Sequence, residues 1–401
     1  MDKQETTGRA RARIIAALEK QGPQSRAKLA RETGFSRSTA SMIIQQLVSE
    51  GIVETVEEAA TPATRGAGRP GTLIVLKQSF KYLIAIDFGR LSLKVGIFDM
   101  RYKLLDVESS DFSVDIPADE AFVFAAAQVE MLLARLSINK SEVEAVGIGV
   151  PGPVESATGH IHAGSILATW TGTDVPGKMS RLLDLPVYMD NDANLGILAE
   201  STMGGATNAQ VALYVLLSVG VGLGIAINGK VFRGSGGIAG ELGHVVTDEH
   251  GPLCRCGSRG CLEAQISVLA LAQSLSGTHK DISPSEMLEK AQAGDPVARR
   301  VVMDAGAMAG RQVGALCNYF NPEVVLVGGE LMRAGDMLIT AITDAMARTS
   351  LARAIESVVV RPGALGERAE LYGAALFAHE KAIEAMASSN ARQASQEIGS
   401  Q

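Results

Sequence analysis

The stretch Glu241–Glu263, ELGHVVTDEHGPLCRCGSRGCLE, holds His244 followed by Cys254, Cys256 and Cys261 in the spacing His-x9-Cys-x-Cys-x4-Cys. Thiolate and imidazole are both good zinc ligands, and a Cys3His set closes a tetrahedral site with no position left for water. The spacing therefore predicts a structural zinc pinning a loop that presents Glu241 on one side and Glu263 on the other. Gly257 and Gly260 fall where so short a loop must fold back. His250, inside the loop, is the rival ligand, and a reduced loop without metal is the plainer alternative.

The pattern E-x-G-H followed by C-x-C-G-x-x-G-C-x-E resembles the zinc motif of the ROK family, named for repressors, open reading frames and kinases. The resemblance implies an α/β fold, the two-lobed actin-like and RNase H-like sugar kinase architecture, over about Tyr82–Ala378. The residues around it fit. From Lys81 onward strands and helices alternate. YLIAIDFGRLSLKVGIFDM and KLLDVESSDFSV predict a three-strand antiparallel start, and AFVFAAAQVEMLLARL predicts a helix. VEAVGIGVPGPV reads as a buried strand and LPVYMDNDANLGILAE as a strand, a polar turn and a helix. VALYVLLSVGVGLGIAINGKVF reads as a hairpin, and EVVLVGGELM as a late strand and turn.

Ahead of this lies a different kind of sequence. Residues 9–20 predict a helix with Ile14, Ile15 and Leu18 on one face, ended by Gly22 and Pro23. Ser25 caps a second helix carrying Leu29 and Ala30, Gly34 makes the turn, and Ser36 caps a third helix with Ala40, Ile43, Ile44 and Leu47 inward. A small residue, a turn glycine and an apolar lock in this order form a helix-turn-helix. The exposed start of the third helix offers Ser36, Arg37, Ser38, Thr39 and Ser41, with Gln45 a turn on, as groups that enter a major groove. Arg9, Arg11, Arg13, Arg26, Lys28 and Arg31 are candidates for phosphate contacts. GIVETVEE and TLIVLK predict two strands around the Gly/Pro-rich AATPATRGAGRPG, which makes a winged helix-turn-helix. Gly68-Arg69-Pro70 matches the G-R-P of ROK repressors, and Arg69, thin and pre-extended, suits a minor groove.

The chain has 401 residues, enough for several domains, with 46% hydrophobic and 20% charged residues. The expected division is a DNA-binding domain at 1–80, a first lobe at 81–195, a second lobe at 196–385 whose C-terminal helix returns to the first, and a disordered tail at 386–401. The net charge of −7 divides into +4 over residues 1–80 (12 Lys/Arg, 8 Asp/Glu) and −11 over the remainder (25 and 36). A basic head on an acidic body points the head toward nucleic acid. Neither a signal region nor a membrane span is legible, so a soluble cytoplasmic protein without membrane contact is expected. Four cysteines in this length make no disulfide framework. Cys317, in GALCNYF, reads as core.

Asp190-Asn191-Asp192-Ala193-Asn194 sits between a strand and a helix. Carboxylates and amides suit a sugar's vicinal hydroxyls, although Asp and Asn there also cap helices. By resemblance to ROK kinases, Asp192 matches the catalytic base, and Asn191, Glu241, His244 and Glu263 match sugar contacts. Kinases also place an Asn in the stretch that here reads SILATW, where Ser165 is a partial substitute. Kinase D-x-G-G-T is here Asp87-Phe88-Gly89-Arg90-Leu91, so a phosphate-loop glycine has become Arg90 and the hydroxyl has become Leu91. The sequence thus describes a degenerate kinase without ATP-dependent activity. The function implied is a transcriptional regulator of carbohydrate genes, a repressor relieved by a sugar or sugar phosphate, acting as a homodimer or homotetramer on double-stranded operator DNA. The alternative is an active sugar kinase with a DNA-binding head.

Overall fold

The computed structural model describes residues 10–11, 13–18, 21–49, 52–57, 72–76, 81–155, 159–161 and 167–399. In the head, helix α1 (residues 10–11 and 13–18) turns Ala10, Ile14, Ile15 and Leu18 inward. Strand β1 (Gln24–Ser25) leads into helix α2 (Arg26–Thr33), capped by the Ser25 side chain accepting from the Lys28 amide. Gly34 takes the left-handed turn at φ 74°, open to glycine without a Cβ penalty. Ser36 Oγ accepts from the Thr39 amide at 3.1 Å, starting helix α3 (Arg37–Ser49). Strands β2 (Val53–Glu57) and β3 (Thr72–Leu76) pair antiparallel, and β1 adds to the far edge of β3. That two-residue edge strand gives no periodic signal and was not legible in the sequence. The tip between β2 and β3, including Arg69, lies outside the described residues, as does Ser165.

The body repeats one topology twice. In the first lobe β4 (Tyr82–Phe88), β5 (Ser92–Asp99) and β6 (Leu104–Asp111) form an antiparallel meander. After helix α4 (Ala118–Leu136), β7 (Val143–Val150) joins parallel to β4; after helix α5 (Val175–Leu183), β8 (Val187–Asn191) joins parallel to β7. Helix α6 (Asp192–Thr202) then crosses to the second lobe. There β9 (Val211–Leu217), β10 (Val221–Ile227) and β11 (Lys230–Val231) make the second meander. Helices α7 (Leu262–Ile266), α8 (Val268–Ser274), α9 (Pro284–Gln292) and α10 (Pro296–Phe320) follow. Strand β12 (Val324–Gly328) lies parallel to β9, and after helices α11 (Asp336–Thr349) and α12 (Ala352–Ile355), β13 (Val359–Pro362) lies parallel to β12. The buried outer faces are an aromatic cluster of Phe88, Phe122 and Trp170 in the first lobe and the α10–α11 pair in the second. Among the described residues no helix is long and apolar enough to cross a membrane.

The final helix α13 (Ala369–Gly399) packs between α6 and the first sheet. Backbones touch there. A Cβ on Gly373 would stand 2.0 Å from the Leu195 carbonyl oxygen, and one on Gly147 of β7 would stand 1.9 Å from that of Ala374. Where a disordered tail was expected from 386, the backbone stays helical to Gly399, because the run Ala382–Arg392 contains neither Gly nor Pro to stop it.

One apolar cluster joins head and body, running from Ile14, Ile44 and Ile74 through Leu83, Phe98 and Tyr102 to Leu371 and Ala378. Two arginines assigned to phosphates face this junction instead. Arg11 is 3% exposed. Arg13 donates to Asn208 Oδ1 at 2.9 Å and lies over the Phe35 ring. Arg11, one turn before Ile14, turns inward with it, whereas Arg13 on another side of α1 is held by Asn208 of the body. Beside Arg11, the buried His379 meets Tyr102 Oη at 2.8 Å. Burial, then Arg11 and Lys81, hold its imidazole well below the usual range.

Two stability predictions follow from these contacts. Gly147→Ala forces β7 and α13 apart and should cost about 1–3 kcal/mol in urea unfolding; an unchanged midpoint would contradict the close approach. His379 stays neutral in the folded chain, while the unfolded chain binds a proton below about pH 6.5, so this residue's contribution is present above that pH and lost as pH falls through it. Between pH 7.5 and 5.5 the wild type should lose about 1.4 kcal/mol more than His379→Gln. Parallel curves would show that His379 protonates freely.

Candidate functional site

The strand β8 ends at Asn191 and α6 begins at Asp192, so the polar turn sits at the mouth of the cleft between the lobes. Asn191 caps α6, with Oδ1 accepting from the Asn194 amide at 3.2 Å, and donates through Nδ2 to the Gly152 carbonyl at 3.2 Å. The capping reading is therefore correct as far as it goes, and it orients the neighbouring side chains. Asp190 is the anchor. Its Oδ1 accepts from Asn191 N at 2.8 Å and Asn194 Nδ2 at 3.2 Å, while Oδ2 accepts from Arg233 Nε at 2.8 Å and Nη2 at 2.6 Å. Arg233 follows β11 in the second lobe and lies over Phe377 of α13, so it ties three elements beneath the cleft. Sequence reasoning missed it; the one signal was a lone Arg ahead of a glycine-rich loop.

Asn191, Asp192, Glu241, His244 and Glu263 come together around one small cavity of about 30 Å³, room for roughly one water. Asp192 also lines a larger cavity of about 400 Å³ shared with Asp87, Arg90, Lys94 and Glu370. Burial first, then Asp87, pushes the Asp192 carboxyl well above the usual range and favours the neutral acid. Glu370 is likewise raised to about 7, chiefly by burial and then by Asp87, and accepts a hydrogen bond from Tyr214 at 2.7 Å. Glu263 is held at both oxygens. Oε1 accepts from Arg90 Nη1 at 3.1 Å and Oε2 from the Val221 amide at 3.0 Å. Arg90 also donates to the Val219 carbonyl at 3.2 Å.

The turn Leu242–His244 directs the imidazole two ways. Nδ1 faces Cys254 Sγ at 3.5 Å, and Nε2 faces Glu241 Oε2 at 3.8 Å. Cys256 Sγ lies 3.6 Å from Cys261 Sγ. Among the described residues His244, Cys254, Cys256 and Cys261 bring their ligand atoms within 4.8 Å of one another, a set that could hold a metal ion. Bonds of about 2.0–2.3 Å in a tetrahedron need donor separations of roughly 3.5–3.8 Å, which these match. His250 is exposed and outside the cluster. In the head, Ser36, Arg37, Ser38 and Gln45 are exposed, and Thr39 and Ser41 half-buried, on the start of α3. Ser36 Oγ is already engaged with Ser38 and Thr39 at 2.8 Å, which makes it a cap before a contact.

Elemental analysis of purified protein should find one metal ion per chain at the His244–Cys254–Cys256–Cys261 cluster. Cys256→Ala should remove most of it and make the 245–261 loop sensitive to protease. Unchanged metal content would show that the cluster is not the site.

The ROK family profile matches residues 83–381 and the MarR family profile matches residues 7–61. The xylose repressor of Bacillus subtilis is 26% identical over 367 residues, 90% of this chain and 92% of its own. A crystal structure of a ROK family transcriptional regulator, a homologue of the Escherichia coli Mlc protein, superimposes with a TM-score of 0.73 at 23% identity, covering 94% of this chain and 96% of that one. A ROK family glucokinase from Streptomyces griseus, solved with glucose and AMPPNP, gives a TM-score of 0.66 at 27% identity over 75% of this chain and 99% of its own. That match spans about the share taken by the body, whereas the regulators run through the head as well. With a MarR-type winged helix-turn-helix ahead of a two-lobed kinase fold, the chain belongs to the ROK family.

Proposed function

We propose that the protein is a sugar-responsive transcriptional repressor that works in the cytoplasm on the operators of carbohydrate genes. The observation that carries this reading is the pairing of a winged helix-turn-helix head with a kinase-like cleft in which Arg90 is tied to Glu263. Arg90 stands where ROK kinases have a glycine, and its guanidinium is committed to Glu263 and Val219. The Arg90 side chain passes beside Gly220, in space that a glycine at position 90 would leave open. The full-length likeness to the xylose repressor supports the same reading.

Arg37 leads the contacts at the start of α3, with Ser38, Thr39, Ser41 and Gln45 beside it, and Arg69 of the wing enters the flanking minor groove. Two heads on a homodimer, or two pairs in a homotetramer, read a two-fold operator. The metal at His244, Cys254, Cys256 and Cys261 is a structural zinc, since three thiolates and one imidazole suit it and complete its shell. It fixes the His244 ring so that Nε2 faces the cleft beside Glu241. The effector is held by Asn191, Asp192, Glu241, His244 and Glu263. Asp192, favoured as the neutral acid, gives a hydrogen bond to a hydroxyl in place of taking its proton.

The small cavity of about 30 Å³ meets the larger one of about 400 Å³ at Asp192 and Gly220. The effector acts on the DNA-binding head to the extent that it prefers one arrangement of the lobes over another. Operator titration by fluorescence anisotropy tests the reading. One sugar of a panel should raise the operator dissociation constant by about 5–150-fold, the usual range of such coupling. Arg37→Ala should weaken operator binding by about 1–3 kcal/mol and relax its sequence preference. An operator affinity that no sugar moves, together with ATP-dependent phosphorylation of a hexose, would make the chain a kinase.

A further inference from the structure

The cleft has two compartments that meet at Asp192 and Gly220. One holds the residues assigned to the effector. The other is the larger one, and its walls decide what the far end of the effector can carry. Three cations reach this second compartment, and each has a partner. Arg90 is paired with Glu263 at 3.1 Å, with side chains only 11% and 6% exposed. Lys94 donates to the Glu367 carbonyl at 2.9 Å and faces Asp87 at 3.9 Å. Arg333 lies within 4 Å of Glu289 and Glu330 and donates to Ser285 at 3.1 Å.

Against these stand four carboxylates on the same walls besides Asp192: Asp87, Glu330, Glu367 and Glu370. A dianionic group entering here meets more carboxylates than cations, and to gain Arg90 it must take it from Glu263. Taking it strips a buried acid of its partner, which is strongly unfavourable. A neutral hydroxyl meets neither cost.

Resting on the effector reading above, we propose that Arg90 is the specificity-determining residue of the cleft. Its ion pair with Glu263 closes the compartment beyond Asp192 to phosphate, so the effector is an unphosphorylated sugar. Arg90 acts through charge already spent inside the protein. It is a plug and a clasp between the β4–β5 turn and the second lobe, and it takes a place that a nucleotide phosphate takes in a kinase.

Calorimetric titration with matched pairs decides it: glucose, mannose and N-acetylglucosamine, each beside its 6-phosphate, on the full-length wild type and on Glu263→Gln. In the wild type at least one free sugar should bind, and its 6-phosphate should bind about 30-fold more weakly or worse. In Glu263→Gln the guanidinium loses its partner, and the preference should move toward the phosphate by about tenfold or more, with metal content unchanged. A structural role for the pair would weaken both ligands alike and leave their ratio fixed, which overturns the proposal. A wild type that prefers the 6-phosphate overturns it too, while leaving the sugar-responsive repressor intact. Binding of neither form in any pair would remove the effector reading itself, and this inference with it.

Discussion

Leu195 and Gly373 bring α6 and α13 into backbone contact, and the remaining architecture depends on that crossing. A Cβ at Gly373 would lie 2.0 Å from the Leu195 oxygen, so only glycine permits the approach. The two helices have different ends. α6 starts at Asp192 in the cleft. α13 starts beside Glu370, also in the cleft, and about 14 Å further along its axis, at 1.5 Å per residue, presents His379 to the head. Helices packed this tightly slide or rotate as units, because a close-packed contact has no slack to absorb a small shift. A packed path thus runs from Asp192 and Glu370 in the cleft to the junction of Tyr102, His379 and Arg11. The cluster that runs from Ile14 to Ala378 makes the head part of the same packed body.

The cleft itself stores unfavourable charge. Asp87 and Glu370 are buried and Asp192 is half-buried where the two cavities meet, and burial raises all three carboxyls. Such a cluster costs stability at neutral pH unless it binds protons, a cation or hydroxyl donors. Lys94 supplies a cation at 3.9 Å from Asp87, and Tyr214 supplies a hydroxyl to Glu370. A sugar offers the same kind of hydroxyl to Asp192. Arg90 and Arg233 do the opposite work on either side: each reaches across from one lobe to a carboxylate of the other, Glu263 and Asp190, and ties the lobes together.

Much of this was legible in the sequence because it depends on local spacing. His-x9-Cys-x-Cys-x4-Cys converges as its order suggests, and the Ser25 and Ser36 caps place the starts of α2 and α3. Asn191, Asp192, Glu241, His244 and Glu263, far apart in sequence, also line one cavity. What escaped was long-range. Arg90 and Glu263 stand 173 positions apart, and Arg233 and Asp190 stand 43 apart, so no window of sequence shows either pair. Glu263 was matched to a sugar contact with no sign of its ion pair for that reason. Arg11 and Arg13 looked like phosphate ligands because charge alone does not tell which face of α1 meets the body. The tail was read as disordered from its polar composition, yet a chain with no breaker can extend a helix already nucleated by packing.

The central claim is that cleft and head share one equilibrium. Linkage makes this measurable in one experiment: the dissociation constant of the effector sugar, by calorimetry, for the protein alone and for the protein saturated with operator DNA. If α6 and α13 couple the two sites, operator must weaken the sugar by the same factor by which sugar weakens operator, a coupling of about 1–3 kcal/mol. A sugar affinity unchanged by saturating operator would contradict the account, leaving a head and a cleft that share a chain and nothing more.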